Sequence, residues 1–148
     1  MGNSTFEIKL SKTQKEKVHQ IQLGGEKSTL VCPPPMIGEI DDATSPHHLF
    51  LASVGACVNL VFEIALSKAR VELYDIQSDI VGEYETIEET NESKFTKIRI
   101  TTYATVPEGV PESKIQRLYS LAHGNCPIGN CLVGSCVDLE TKLEITYK

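Results

Sequence analysis

The feature that most constrains this fold is one long apolar segment near the middle of the chain. The stretch from Leu49 to Phe62 is almost entirely apolar and contains Asn59. It is shorter than the roughly 20 apolar residues that a membrane span needs. Ser45 and Pro46 precede it, and these residue types suit a helix cap and a first helical position. The sequence therefore predicts a helix, ending near Arg70, that lies buried at the centre of the fold.

Segments of alternating apolar residues lie on both sides of this helix, and alternation is typical of half-buried strands. Three short strands are expected before it, the first carrying Phe6, Ile8 and Leu10. Two long strands, two shorter helices and a final strand are expected after it. Because strands and helices are partly segregated, the order predicts an α+β fold with antiparallel sheets. The later elements are expected at about Glu72–Thr86, Lys94–Val106, Pro111–Gly124, Asn125–Gly134 and Val137–Tyr147.

The length and charge of the chain limit the classes of function. Its 148 residues suit a single domain, residues 1–148. The formal net charge of −6 argues against binding to nucleic acid or to an anionic membrane, since both need clustered basic residues. The first residues do not have the pattern of a secretory signal. The cysteine count of five is odd, which disfavours a disulfide framework and predicts a reduced, cytoplasmic setting.

Cys126 is the best candidate for chemistry on local grounds. Pro127 suits a first helical position, which makes Cys126 the expected cap of a short helix. The free N–H groups and the dipole of a helix N-terminus lower the pKa of a thiol and favour the reactive thiolate. Cys57 lies in the middle of the long helix, where a cysteine is more often a small core residue.

Other chemistry-bearing residues have weaker patterns. His123, Cys126, Cys131 and Cys136 resemble a metal set, but their spacing does not match the tight knuckles of structural zinc sites, so no metal is expected. His47 and its neighbour His48 fall in the first turn of the long helix. They could act as a base or a metal ligand, but a capping or solvent-facing pair is the more common arrangement.

Two segments taken together resemble the OsmC/Ohr family of thiol peroxidases. The first is SPHHLFLASVGAC at residues 45–57, in which a proline opens a helix and a cysteine follows about eleven residues later. The second is AHGNCPI at residues 122–128, in which a cysteine and a proline follow a helix. The spacing between the cysteines and the order of elements also fit, so the resemblance covers nearly the whole chain.

This resemblance implies an OsmC-like fold in an intertwined homodimer, with sheets wrapped around long central helices. It also implies reduction of organic hydroperoxides in oxidative stress defence, with Cys57 attacking the peroxide and Cys126 resolving the product as a disulfide. An external dithiol would restore the thiols, and no cofactor is expected. Peroxidase members have a glutamate where this chain has His47, and an arginine near the first hairpin, whereas the first arginine here is Arg70. His47 or His19 could take over part of the role of that pair, and His47 is the candidate supporting residue.

Two other functions stay open at this point. The chain could be a non-enzymatic module that binds an apolar or thioester ligand, with the cysteines only lining the pocket. A zinc site at His123, Cys126 and Cys131 is a weaker third hypothesis.

Overall fold

The computed structural model describes residues 2–148 and shows an α+β fold with two mixed sheets. The strands are β1 (Lys9–Lys12), β2 (His19–Gln22), β3 (Ser28–Val31), β4 (Ala43–Thr44), β5 (Asp75–Ile87), β6 (Glu92–Val106) and β7 (Asp138–Tyr147). The helices are α1 (Pro46–Lys68), α2 (Glu112–Gly124) and α3 (Pro127–Asn130), and a 3-10 turn covers Pro34–Met36. The predicted order of elements is confirmed except before α1, where the structure has four strands rather than the three expected.

The chain divides into two compact units, Met1–Phe50 and Leu51–Lys148. The first unit contains a four-stranded sheet in the order β1-β2-β3-β4. Its core is a small cluster of Val18, Cys32 and Ile40, all with 9% or less of their surface exposed. The expectation of a single domain over residues 1–148 stays a prediction.

The first strand differs from its prediction. β1 begins at Lys9, and Phe6, Ile8 and Leu10 are 92%, 58% and 58% exposed rather than half-buried. All four residues of β1 are exposed, and β1 is an edge strand that pairs with β2. Alternation therefore indicated that a strand lies here, but it placed the start of the strand too early and predicted its burial wrongly.

The second unit contains a three-stranded sheet in the order β5-β6-β7. β5 and β6 pair antiparallel as predicted, but β7 runs parallel to β6, and β4 runs parallel to β3 in the first sheet. The antiparallel prediction is therefore wrong for these two pairs. The connection between β6 and β7 contains α2 and α3, and a crossover that includes helices allows the returning strand to run in the same direction.

Helix α1 packs along β5 in a fixed register. A Cβ atom on Gly82 would lie 2.8 Å from Leu51 Cδ2, and one on Gly55 would lie 2.6 Å from Ile80 Cδ1. One helical turn further, Asn59 is hydrogen-bonded to Ser78. Four helical residues rise about 6 Å and two strand residues about 6.7 Å, so the contacts repeat in step as the helix runs antiparallel to the strand.

The opposite side of α1 is exposed within one chain. The buried residues Val54, Val58, Phe62 and Leu66 recur every fourth position and form one face. Leu60 and Ile64 are 60% and 53% exposed, so the expectation of a helix buried all round is not met within one chain. In length and composition α1 could also cross a membrane, but the core helix of a soluble protein fits the same description.

Candidate thiol site

Cys126 caps the short helix α3 as predicted. Pro127 occupies its first turn, and the Gly129 N–H donates a hydrogen bond of 3.2 Å to Cys126 Sγ. The backbone N–H of Cys126 in turn donates to the carbonyl of His123, which ties the cap to the end of α2. Helix α3 ends at Asn130 rather than near Gly134, which has a φ of 74° in the turn that follows.

The predicted acidity of Cys126 is wrong. Burial raises the pKa of the Cys126 thiol, and a hydrogen bond with Cys57 raises it further. The hydrogen bonds from the backbone of Gly129 and Ile128 lower that pKa, but they do not offset the loss of hydration. The side chain is 0% exposed, so the cost of placing a charge there exceeds the benefit from the helix end.

Cys57 lies beside this cap. It is a half-buried residue of α1, and its thiol is near enough to Cys126 to share a hydrogen bond. Both sulfurs are thiols, with no disulfide between them. The structure therefore brings together the two cysteines that the sequence singled out, one accessible in part and the other fully buried.

The two histidines at the start of α1 have different surroundings. Ser45 Oγ accepts a hydrogen bond from the His48 N–H at 3.2 Å and lies 2.6 Å from His48 Nδ1, which confirms Ser45 as the helix cap. His48 is exposed, whereas His47 is half-buried. No observation assigns either imidazole a role in catalysis.

A cavity of about 640 Å³ opens within the first unit. Its walls are largely apolar, with three basic or imidazole side chains and one buried cysteine among them. The lining includes Lys17, His19, Ile21, Val31, Cys32 and His47. Ligand pockets typically measure about 300–1,000 Å³, so this cavity has the size and character to enclose a small apolar molecule.

The remaining cysteines do not join the pair. Cys32 is buried in the core of the first unit, and Cys131 and Cys136 are exposed after α3. Across residues 2–148, no group of three or more His, Cys, Asp or Glu side chains could hold a metal ion. The set of His123, Cys126, Cys131 and Cys136 is therefore not a coordination cluster.

Sequence reasoning missed a polar network that joins α1, β5, β6 and α2. Asn59, Ser78, Thr102 and Tyr119 are joined by consecutive side-chain hydrogen bonds. The signal available in the sequence was Asn59, an amide within an apolar helical segment. Such a residue needs a buried partner, but the sequence does not show which strand supplies it.

Comparison with known proteins places the chain in a family. The family model for OsmC-like proteins matches residues 39–142, which is more than half of the chain. The protein therefore belongs to the OsmC-like family, as the two cysteine segments indicated. No curated protein matches the sequence.

Solved structures agree with this assignment. An OsmC-like protein from Mycoplasma pneumoniae has a TM-score of 0.85 and 12% identity, covering 99% of this chain and 100% of that one. The organic hydroperoxide resistance protein OhrB of Bacillus subtilis has a TM-score of 0.68 and 20% identity, covering 95% and 98%. An organic hydroperoxide resistance protein from Elizabethkingia anophelis has a TM-score of 0.67 and 21% identity, covering 99% and 100%. At these identities the likeness shows the fold alone.

Proposed function

We propose that this protein reduces organic hydroperoxides through Cys57 and Cys126. The observation that carries the proposal is the contact between the two thiols, one half-buried and one buried at a helix cap. Family membership supports it, since two similar structures are organic hydroperoxide resistance proteins.

The reaction has two thiol steps. The Cys57 thiolate attacks one peroxide oxygen, the O–O bond breaks, and the alkoxide leaves as an alcohol after taking a proton. Cys57 is then a sulfenic acid. The Cys126 thiol attacks that sulfur, a disulfide forms and water leaves. An external dithiol then reduces the disulfide by exchange through a mixed disulfide.

The division of roles follows from burial. Cys57 is half-buried and Cys126 fully buried, so Cys57 is the thiol with the easier access for a peroxide. Cys126 is 0% exposed and its pKa is raised, so it holds its proton until a sulfenic acid forms beside it. The raised pKa removes the local argument for Cys126 as the attacking thiol. Physical reasoning and family resemblance then both support Cys57 as the attacking thiol and Cys126 as the resolving thiol.

Consumption of an alkyl hydroperoxide in the presence of dithiothreitol tests this proposal. The wild type should turn over, and Cys57→Ser should abolish the reaction. Cys126→Ser should slow steady turnover, because the sulfenic acid then has no resolving thiol in place. Cys131→Ser, which changes an exposed cysteine outside the pair, is the matched control. Equal turnover by Cys57→Ser and wild type would refute the assignment.

The cavity of the first unit supports a second candidate function. Its apolar walls and its three basic or imidazole side chains suit an apolar ligand with a polar or acidic end. On this account the protein binds such a ligand without turnover. Denaturing extraction followed by mass spectrometry should then release a small molecule, and an empty extract together with hydroperoxide turnover would exclude it.

The proposal also covers assembly, location and His47. We propose a homodimer in which a second copy covers the exposed side of α1. We also propose a cytoplasmic setting, because the odd count of five cysteines disfavours a disulfide framework. His47 lines the cavity of the first unit and stands where peroxidase members have glutamate. His47→Gln should lower the hydroperoxide turnover if the imidazole supports catalysis.

A further inference from the structure

A chain of four hydrogen-bonded side chains crosses the second unit. Ser78 Oγ lies 2.6 Å from Asn59 Oδ1 and 3.0 Å from Thr102 Oγ1. Thr102 Oγ1 lies 2.9 Å from the Tyr119 hydroxyl, and Thr141 is a further hydrogen-bond partner of that hydroxyl. Thr102 is 0% exposed and Tyr119 is 4% exposed, so water competes little for these groups.

The two ends of this chain lie on the elements that hold the two thiols. Asn59 belongs to α1, two residues after Cys57. Tyr119 belongs to α2, whose last turn receives the backbone hydrogen bond from Cys126. Ser78 on β5 and Thr102 on β6 connect them through the sheet. The ring of Tyr119 also meets Phe62 of α1 edge-on, with centroids 5.0 Å apart.

The position of Asn59 on α1 controls the rotation of that helix. Residues two apart on a helix point about 200° apart, so Cys57 and Asn59 lie on opposite flanks of the face centred on Val58. Because the helix is rigid, the hydrogen bond of Asn59 that fixes one flank of α1 also fixes the position of Cys57 on the other flank. A helix rotation of about 20° would move a sulfur about 5 Å from the axis by nearly 2 Å. Disulfide geometry does not tolerate such a shift without strain.

We propose that the Asn59–Ser78–Thr102–Tyr119 chain positions Cys57 and Cys126 for disulfide formation. The inference rests on the proposed function, because that function requires the disulfide. These four side chains are positioning residues, since they act through the placement of α1 and α2. Their removal should lower the effective concentration of one thiol at the other, a quantity that does not depend on any peroxide.

The test is the equilibrium constant of the Cys57–Cys126 disulfide in glutathione redox buffers, read by thiol trapping and peptide mapping. In the forward reaction two protein thiols reduce glutathione disulfide to two glutathiones. Tyr119→Phe keeps the ring and removes the hydroxyl, and Ser78→Ala breaks the chain in the middle. Each should lower the constant about threefold to tenfold, the effect of one lost hydrogen bond.

Two controls separate positioning from general stability. Tyr147→Phe removes a hydroxyl that donates to the Val110 carbonyl at 3.0 Å, outside the chain, and should leave the constant unchanged. Ile115→Val truncates a buried residue of α2 and should lower stability without moving the constant. The inference is overturned if the network variants match wild type, or if Ile115→Val lowers the constant as much as they do.

A parallel treatment with an alkyl hydroperoxide distinguishes this inference from the proposed function. If glutathione disulfide links Cys57 to Cys126 and the network variants weaken that link, the inference holds even where the hydroperoxide leaves the thiols unchanged. If the hydroperoxide links them and the variants match wild type, the function holds and the inference fails. A wild type that forms no such disulfide at any glutathione ratio overturns the inference.

Discussion

At Cys126 two local effects act on the same sulfur in opposite directions. The cap of α3 provides a hydrogen bond from the Gly129 N–H, which stabilises a thiolate. Complete burial removes water, which destabilises it. Desolvation is the larger effect, and the pKa of the thiol is raised. This raised pKa is compatible with the role of a resolving thiol, because such a thiol stays protonated until its partner sulfur is oxidised.

The first prediction concerns the pH dependence of this thiol. In a Cys57→Ser background, alkylation of Cys126 by iodoacetamide in the folded protein should be slow at neutral pH, whereas the exposed Cys131 and Cys136 should react quickly. Alkylation of Cys126 should accelerate only above the ordinary pKa of a thiol, because both burial and the raised pKa oppose the thiolate. The measurement is the rate at which the peptide that contains Cys126 is alkylated, followed by peptide mapping at several pH values. Alkylation at neutral pH as fast as that of an unfolded chain would contradict it.

The second prediction concerns the pH dependence of stability and follows from the same raised pKa of Cys126. The folded protein holds the Cys126 proton to a higher pH than the unfolded chain, so the contribution to stability is complete below the ordinary thiol pKa. It is lost as the pH rises through the folded value. Urea unfolding of wild type should therefore lose more free energy between neutral and alkaline pH than Cys126→Ser does. An equal loss in both proteins would contradict the assignment.

Of the two properties of Cys126, the sequence predicted its position as a helix cap but not the direction of its pKa shift. The Cys126-Pro127 pair was sufficient to predict the helix cap, because that motif is local. The direction of the pKa shift was not predictable, because it depends on the packing that buries the sulfur and on contact with Cys57, which lies far away in the sequence.

At the scale of elements, the close approach of α1 to β5 depends on two glycines. Gly55 and Gly82 both lack a side chain where the helix meets the strand, and a Cβ at either position would lie within 3.0 Å of a neighbouring carbon. The small residues allow the helix to approach the sheet closely enough for Asn59 to reach Ser78 at 2.6 Å. The contact between Gly55 and Ile80 therefore determines the distance between α1 and the sheet.

The third prediction tests that contact. Gly55→Ala should destabilise the protein by about 1–3 kcal/mol through overpacking against Ile80, although alanine favours a helix by about 1 kcal/mol. Gly124→Ala is the matched control, because Gly124 lies in α2 with no atom within 4 Å of its added Cβ. The control should be neutral or stabilising. Urea unfolding gives both values, and a stabilised Gly55→Ala would show that the contact relaxes freely.

A fourth prediction concerns the start of α1. Ser45→Ala removes a buried cap that accepts from the His48 N–H, and should cost about 1 kcal/mol in the free energy of unfolding. Ser67→Ala, an exposed change near the other end of α1, should cost less than about 0.5 kcal/mol. Equal costs in urea unfolding would mean that the hydroxyl of Ser45 does not cap the helix.

Element type was predictable and strand direction was not. Helix α1 was expected from Ser45 to about Arg70 and spans Pro46–Lys68, since its cap and its apolar run are local signals. The parallel pairing of β7 with β6 was missed, because alternation along a strand indicates burial without indicating direction. That direction depends on where the two intervening helices place the returning chain.

At the scale of the whole molecule, apolar surface is left uncovered on the second unit. Leu60, Ile64 and Leu121 are each more than 50% exposed on α1 and α2. A groove of about 560 Å³ between these helices is lined mainly by apolar side chains, which include Ile64 and Leu121, and by Lys68 and Asn125. Contiguous apolar surface of this kind marks an interaction site in soluble proteins. A second copy of the chain is the partner that our proposal assigns to it.

The fifth prediction tests that assembly. Light scattering coupled to size-exclusion chromatography should give the mass of two chains for wild type. Ile64→Lys places a charge in the uncovered apolar surface and should shift the population toward one chain. Val133→Lys, an exposed apolar residue after α3, is the matched control and should keep the wild-type mass. A wild type that runs as one chain at all concentrations would exclude the homodimer.

One measurement tests the central claim most directly: intact mass and peptide mapping after treatment with one equivalent of an alkyl hydroperoxide at neutral pH. The account predicts that the protein loses two hydrogen atoms and that a single disulfide joins Cys57 to Cys126. Cys57→Ser should keep all its remaining thiols under the same treatment. Unchanged thiols in wild type, or a disulfide that leaves out either cysteine, would contradict the proposed function.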